Sequence, residues 1–197
     1  MRLRASGFTL VELAIVLVII GIILGAVLKG QELVFNAKVK RAQSQVKEVI
    51  AALYTYYDKY GYYPGDDPTA SSRWSGVGNG TGNGLIEGDT CDNISKESCL
   101  FWIHLRLANI ISGDANANNP AALVPKHAFG GPIDVYSNTT TGHLLVQLSN
   151  LPGDAAASID RNMDDGKCDT GSVKAIAGCG DGGSYSSTSY YNMTIQI

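Results

Sequence analysis

Few residues in this sequence have the type and spacing to do chemistry. Glu12 stands inside GFTLVELAIVLVIIGIILG, residues 7–25, where every neighbour except Thr9 is apolar or glycine. A carboxylate in hydrocarbon costs at least a few kcal/mol, about 3 on insertion scales, so it must be neutral or find a cation. Four cysteines, Cys91, Cys99, Cys168 and Cys179, all fall in the C-terminal two thirds. Their spacings are not the paired CxxC of a zinc site, and outside the cytoplasm an even count reads as two disulfides. Three pairings are open. The local ones, Cys91–Cys99 and Cys168–Cys179, are preferred, each closing a loop of about ten residues and adding about 2–3 kcal/mol. The run DRNMDDGKCD offers Asp160, Asn162, Asp164 and Asp165 as oxygen ligands. It approaches the DxNxDG opening of a calcium loop, but Gly166 comes one residue late and no Glu occupies the twelfth position. Calcium is thus a possible ligand there, and a solvated turn is the simpler reading; no other cofactor is expected.

Other stretches imitate chemistry without its context. SGVGNGTGNGLIEGD, residues 75–89, has the glycine density of a phosphate cradle. No strand precedes it and no Gly-Lys-Ser/Thr follows, so it reads as a flexible loop. His104 lies among apolar residues in ESCLFWIHLRLANII and reads as a packed histidine. The tyrosines at 54, 56, 57, 60, 62 and 63 are read as core, with Tyr57 and Tyr60 inward, and as surface. No Ser-His-Asp or Cys-His set has supporting context, so the chain is not read as an enzyme.

The elements that carry these residues follow from hydropathy. From Phe8 to Leu28 only Thr9 and Glu12 are polar. That length spans about 32 Å as a helix, enough to cross a bilayer core. The first proline is Pro64, so one helix is expected over 8–60. Beyond Lys29 its pattern becomes one-sided, with Phe35, Val39, Ala42, Val46, Val49/Ile50, Leu53, Tyr57 and Tyr60 on one face. Gly21, Gly25 and Gly30 are its weak points. A short helix over 97–111, a hairpin of 133–138 with 143–150, a helix capped by Asp154 and a strand over 190–196 complete an α+β architecture. A long helix, half membrane-spanning and half amphipathic, would pack on a small antiparallel sheet.

Two polar devices distinguish the N-terminus from a secretory signal. The basic leader MRLRASG precedes the apolar core, so cleavage after Gly7 retains that core. The stretch G-FTLVE-LAIVLVIIGII closely resembles the prepilin signature of type IV pilins and of the pseudopilins of type II secretion. The resemblance covers about residues 1 to 30. It implies a pilin-like fold, cleavage between Gly7 and Phe8 by prepilin peptidase, and methylation of the new Phe8 amine. It also implies that Glu12 serves assembly, meeting the amine of a neighbouring subunit. Many relatives carry a proline in the first helix, and this chain has none there. Major type II pseudopilins bind calcium near their C-termini, which by analogy keeps the acidic turn in view.

The parts are then a cleaved leader (1–7), a membrane-spanning and filament-core half of the helix (8–28), its amphipathic half (29–60) and a globular head (61–197). Arg2 and Arg4 keep the N-terminus cytoplasmic and send the head across. Residues 29–60 carry six basic against three acidic side chains, and residues 61–197 seven against fourteen. Without a basic patch, the head is not expected to bind nucleic acid. The expected partners are other copies in a helical homopolymer, prepilin peptidase, an inner-membrane assembly platform and the membrane before assembly. The expected role is a filament subunit, first an inner-membrane precursor, then part of an extracellular or periplasmic fibre. A secretion pseudopilin and a minor tip subunit binding a surface or DNA are the alternatives.

Overall fold

The computed structural model describes residues 9–116 and 119–197. Helix α1 runs Leu10–Tyr60 without interruption, through Gly21, Gly25 and Gly30. Each glycine costs about 1 kcal/mol relative to alanine, and the helix runs through all three. The chain divides at Lys38/Val39 into two units. In the first, the apolar segment of α1 has a mean hydropathy of 3.0 and none of it is buried.

The second unit, Val39–Ile197, is α+β. The one-sided half of α1 buries Val39, Ala42, Val46, Val49, Ala52, Leu53 and Tyr56. The inward tyrosine is therefore Tyr56, fully buried, while Tyr57 is 43% exposed. From Val49, the helical steps of three, four and seven reach Ala52, Leu53 and Tyr56; extending the stripe by another four from Leu53 drifts off the buried face. Short helix α2 (Ala70–Arg73) follows, then α3 (Glu97–Leu107) and α4 (Pro120–Leu123). Helix α3 ends four residues before the expected 111. Asn109 takes a left-handed φ of 57°, the Ile110 amide reaches back to the Leu105 carbonyl and the Asn109 amide to that of Arg106. This is the Schellman closure, with asparagine in the usual glycine position.

Strands β1 (Ile133–Ser137) and β2 (Leu144–Pro152) form the expected hairpin, in register Ile133 with Leu148 to Ser137 with Leu144. Helix α5 (Gly153–Met163) begins one residue early, so Asp154 sits in its first turn and Pro152 occupies the cap without a side-chain bond. Strand β3 (Val173–Ala175) was not evident from the sequence; β4 (Tyr190–Gln196) was. The antiparallel sheet has the order β1-β2-β4-β3. Its last strand alternates cleanly, burying Tyr191, Met193 and Ile195, the period-two pattern of a sheet with one covered face. Trp102 and Phe101 of α3 and Ile159 of α5 complete the core.

Candidate functional site

The first turn of α1 is built around Thr9 and Glu12. The Thr9 amide donates to Glu12 Oε2 at 2.8 Å and the Thr9 hydroxyl to the same oxygen at 2.9 Å. In return the Glu12 amide donates to Thr9 Oγ1 at 3.3 Å. Threonine three residues before glutamate is the capping-box spacing, and here both halves form. The box satisfies amides that a helix N-terminus leaves orphaned and places a negative charge at the positive end of the helix dipole. Thr9 is thus the local partner of Glu12. Gly7 and Phe8, the expected cleavage and methylation residues, lie outside the described residues, as do Arg2 and Arg4.

Beyond that turn the helix is a bare apolar cylinder, with Leu17 69% and Ile22 68% exposed. Contiguous apolar surface on this scale does not persist in water and marks a face covered by lipid or by other helices. Chemically, the segment presents one carboxylate, close to its end, on a surface otherwise suited only to hydrocarbon.

In the head the cysteines form Cys91–Cys99 and Cys168–Cys179. Among the described residues no cysteine is free. The Cys91 amide donates to Asp134 Oδ1 at 2.9 Å, and Cys168 follows the acidic turn in sequence.

In that turn one oxygen each from Asp160, Asp164 and Asp165 lies within 4.8 Å of the others. Asn162 is exposed on α5. A calcium ion takes 6–8 oxygens, and these three already serve the chain. Asp160, fully buried, accepts from the Gly166 amide at 2.9 Å and the Tyr185 hydroxyl at 2.6 Å. Asp165 accepts from the Lys167 amide and the Thr170 hydroxyl. Asp164 Oδ2 accepts the Ser172 and Val173 amides, fixing the start of β3. Gly171 packs so closely on this carboxylate that a Cβ there would overlap it. Burial, together with the neighbouring Asp165 and Asp164 charges, pushes the Asp160 carboxyl up, against the pull of its Tyr185 and Gly166 bonds. The donor set fits the amides and hydroxyls of the turn more fully than it fits a cation.

The glycine-rich segment is tied by hydrogen bonds to two interior acids. Asp66, 1% exposed, accepts four donors from it: the Thr81 hydroxyl, the Gly82 and Asn83 amides on Oδ1, and the Gly84 amide on Oδ2 at 2.8 Å. Glu97 accepts the Thr81 amide at 2.6 Å and the Glu87 amide at 2.7 Å. Successive amides of this kind bind anions, and here the anions are the chain's own carboxylates. Gly80 passes so close that a Cβ would lie 2.2 Å from the Gly65 carbonyl oxygen. The adjacent Asp67, fully buried, gathers the Tyr56 hydroxyl at 2.7 Å, Thr69 and the Arg73 guanidinium.

His104 is fully buried, as a packed residue. Its Nδ1 accepts the Gly65 amide at 3.0 Å, so its Nε2 carries the proton and donates to the Gly78 carbonyl at 3.0 Å. Burial, opposed by the Gly78 bond and aided by the Arg73 charge, lowers its pKa to about 4. It is a neutral strut between two loops. The sequence does not single out Asp66 and Glu97, because their partners lie ten or more residues away without periodicity.

The chain matches no curated protein and no solved structure. One family model does match, over the segment whose capping box and bare apolar surface have just been described. Residues 2–28 fit the prokaryotic N-terminal methylation motif, so this chain carries the signature of type IV pilins and pseudopilins.

Proposed function

We propose that this protein is the structural subunit of a type IV pilus-like filament. The observation that carries the reading is Glu12, a lone carboxylate one turn into an exposed apolar helix that also bears the methylation motif. In this reading residues 1–7 are removed by prepilin peptidase and Phe8 is methylated. Residues 8–28 hold the precursor in the inner membrane with the head outside the cytoplasm, then form the filament core. Residues 29–60 join that core to the head, 61–197, which becomes the fibre surface. Within the mature chain Glu12 meets the new amine of a neighbouring subunit. The capping box leaves the charge of Glu12 without a cation, so a contact that supplies one fixes axial register, since any other stagger leaves that charge uncompensated in hydrocarbon.

Two substitutions separate assembly from capping. Thr9→Ala removes the hydroxyl of the box and costs about 1 kcal/mol of helix stability, but leaves the carboxylate. Glu12→Gln keeps an acceptor for the Thr9 amide but loses the charge. Sheared surface material is imaged by negative stain and its N-terminus read by mass spectrometry. Filaments starting at methylated Phe8 in the wild type and Thr9→Ala, and absent in Glu12→Gln, are expected. Equal assembly by Glu12→Gln would reduce Glu12 to a cap. A mature chain starting elsewhere than Phe8 would overturn the reading. Fibres of this chain outside cells separate a pilus subunit from a secretion pseudopilin, and a few copies at fibre ends would mark a tip subunit.

A further inference from the structure

Asparagine followed by glycine is the pair at which a polypeptide most readily modifies itself. The glycine nitrogen attacks the asparagine Cγ, the Cγ–Nδ2 bond breaks, and ammonia leaves with the proton that the glycine amide gives up. Water then opens the cyclic imide at either carbonyl. One opening gives aspartate, and the other gives isoaspartate, with the main chain rerouted through the side chain. Glycine favours the step because no side chain shields its nitrogen and its backbone turns freely. The sequence holds two such pairs, Asn79-Gly80 and Asn83-Gly84, both in the glycine-rich segment and both exposed at the asparagine.

The two pairs are held by different means. At Asn83 the nucleophile, the carbonyl oxygen and the leaving nitrogen are all engaged. The Gly84 amide donates to Asp66 Oδ2 at 2.8 Å. Asn83 Oδ1 accepts the Leu85 amide and Nδ2 donates to Glu87 Oε1, each at 2.9 Å. The proton that must leave Gly84 is thus aimed at a buried carboxylate whose negative charge opposes an amide anion beside it. Packing gives this pair no shelter, since a Cβ on Gly84 would meet nothing within 4 Å. At Asn79 the guard is main chain. The Gly80 amide donates to the Asp67 carbonyl at 3.0 Å, and Asn79 Oδ1 accepts the Ser71 amide at 2.7 Å. Gly80 also lies against the backbone of Gly65 and Asp66. A change of side chain at Asp66 removes neither bond.

We infer that Asn83-Gly84 is a latent deamidation site, kept closed by Asp66 and reactive only when the glycine-rich segment leaves that carboxylate. Deamidation is slow beside the opening and closing of a loop, so its rate follows the fraction of time the segment is open. The product does not reverse. It sets a new carboxylate between Asp66 and Glu87, where like charges oppose closure. Isoaspartate also adds one atom to the main chain just ahead of the amide that Asp66 grips. A modified segment therefore stays loose, and Asn83 records, as a permanent gain of negative charge, each chain whose loop has stood open.

The full-length protein in detergent is incubated at mildly alkaline pH, reduced and digested with trypsin. Cleavage after Arg73 and Lys96 releases both pairs in one peptide, 74–96, and fragmentation in the mass spectrometer locates the mass gain. Asn83 is expected to react at least about tenfold more slowly in the native chain than in the urea-unfolded chain. Asp66→Asn should speed it at least about tenfold over the native wild type. Asn79 is the internal control, and its rate should agree within about twofold between the two native proteins. Asn83 reacting as fast in the native chain as in the unfolded one, or equally fast in both native proteins, would overturn the site. Asn79 accelerating together with Asn83 would overturn Asp66 as its particular guard. Should Asp66→Asn fail to fold, the wild type in urea below its unfolding midpoint decides. There Asn83 deamidation should rise in proportion to Gly84 amide exchange, and exchange rising without deamidation would overturn the gating.

Discussion

Replacing Asp66 by asparagine tests whether the glycine-rich segment is held from within. The carboxylate accepts three donors on Oδ1 and the Gly84 amide on Oδ2. An asparagine amide has only one oxygen, so in either orientation at least one of these donors faces an NH₂. That orphaned, buried donor costs about 1–3 kcal/mol. The remaining bonds lose their charge assistance, which roughly halves each. The segment can limit the loss by peeling into water, so the net destabilisation is about 3 kcal/mol rather than the full sum. For a chain of this size that lowers Tm by about 6–12 °C. Opening of the segment is favoured by about a hundredfold, and amide hydrogen exchange reads this directly at Gly82, Asn83 and Gly84. The full-length protein in detergent serves for both measurements. Exchange at those amides unchanged from the wild type, with a melting loss under about 0.5 kcal/mol, would refute the fastening. A melting loss without faster exchange would place the damage elsewhere in the core.

Further outcomes follow from the other buried groups. His104 is held neutral with a pKa near 4. Because the unfolded chain takes up its proton near pH 6.5 and the folded one does not, stability is full above that pH. It falls as pH drops from about 6.5 to 4, by about 3 kcal/mol in the limit. Melting curves across that range should show this limb, and it should flatten in His104→Gln. His127, also lowered by burial, leaves a smaller residual limb. In the acidic turn, Asp164→Asn should lower stability by about 2 kcal/mol through the Ser172 and Val173 amides. Because the oxygens are already engaged, excess calcium and excess chelator should give the same melting temperature; a rise with calcium that Asp164→Asn abolishes would put an ion there.

What the sequence revealed is what periodicity and local spacing encode. The apolar run, the one-sided stripe, the hairpin and the alternating last strand each repeat a signal over many residues. The prepilin-like stretch carries its Thr-x-x-Glu spacing openly, and that spacing is the signature of the cap it forms. Strand β3 escaped because three residues cannot display a period, and its place is set by Asp164 and by pairing with β4. Tyr56 and Tyr57 were exchanged because one residue of phase error on a helix turns a side chain by about 100°. Asp66 and Glu97 were invisible for another reason. Acid-to-amide contacts across ten to eighteen residues depend on the path of an irregular loop, which no pattern of residue types announces.

The fastening of that loop bears on how the head can change over generations. Its course is written mainly in main-chain amides gripped by two interior acids, and little in the side chains it displays. Substitution at an outward position such as Ser75 alters the chemistry of the surface and leaves the path of the chain intact. Gly80, Asp66 and Glu97 do not share that latitude. The head thereby offers a patch whose identity can drift rapidly over a fixed frame, a separation of appearance from architecture that suits a surface continually met by selection.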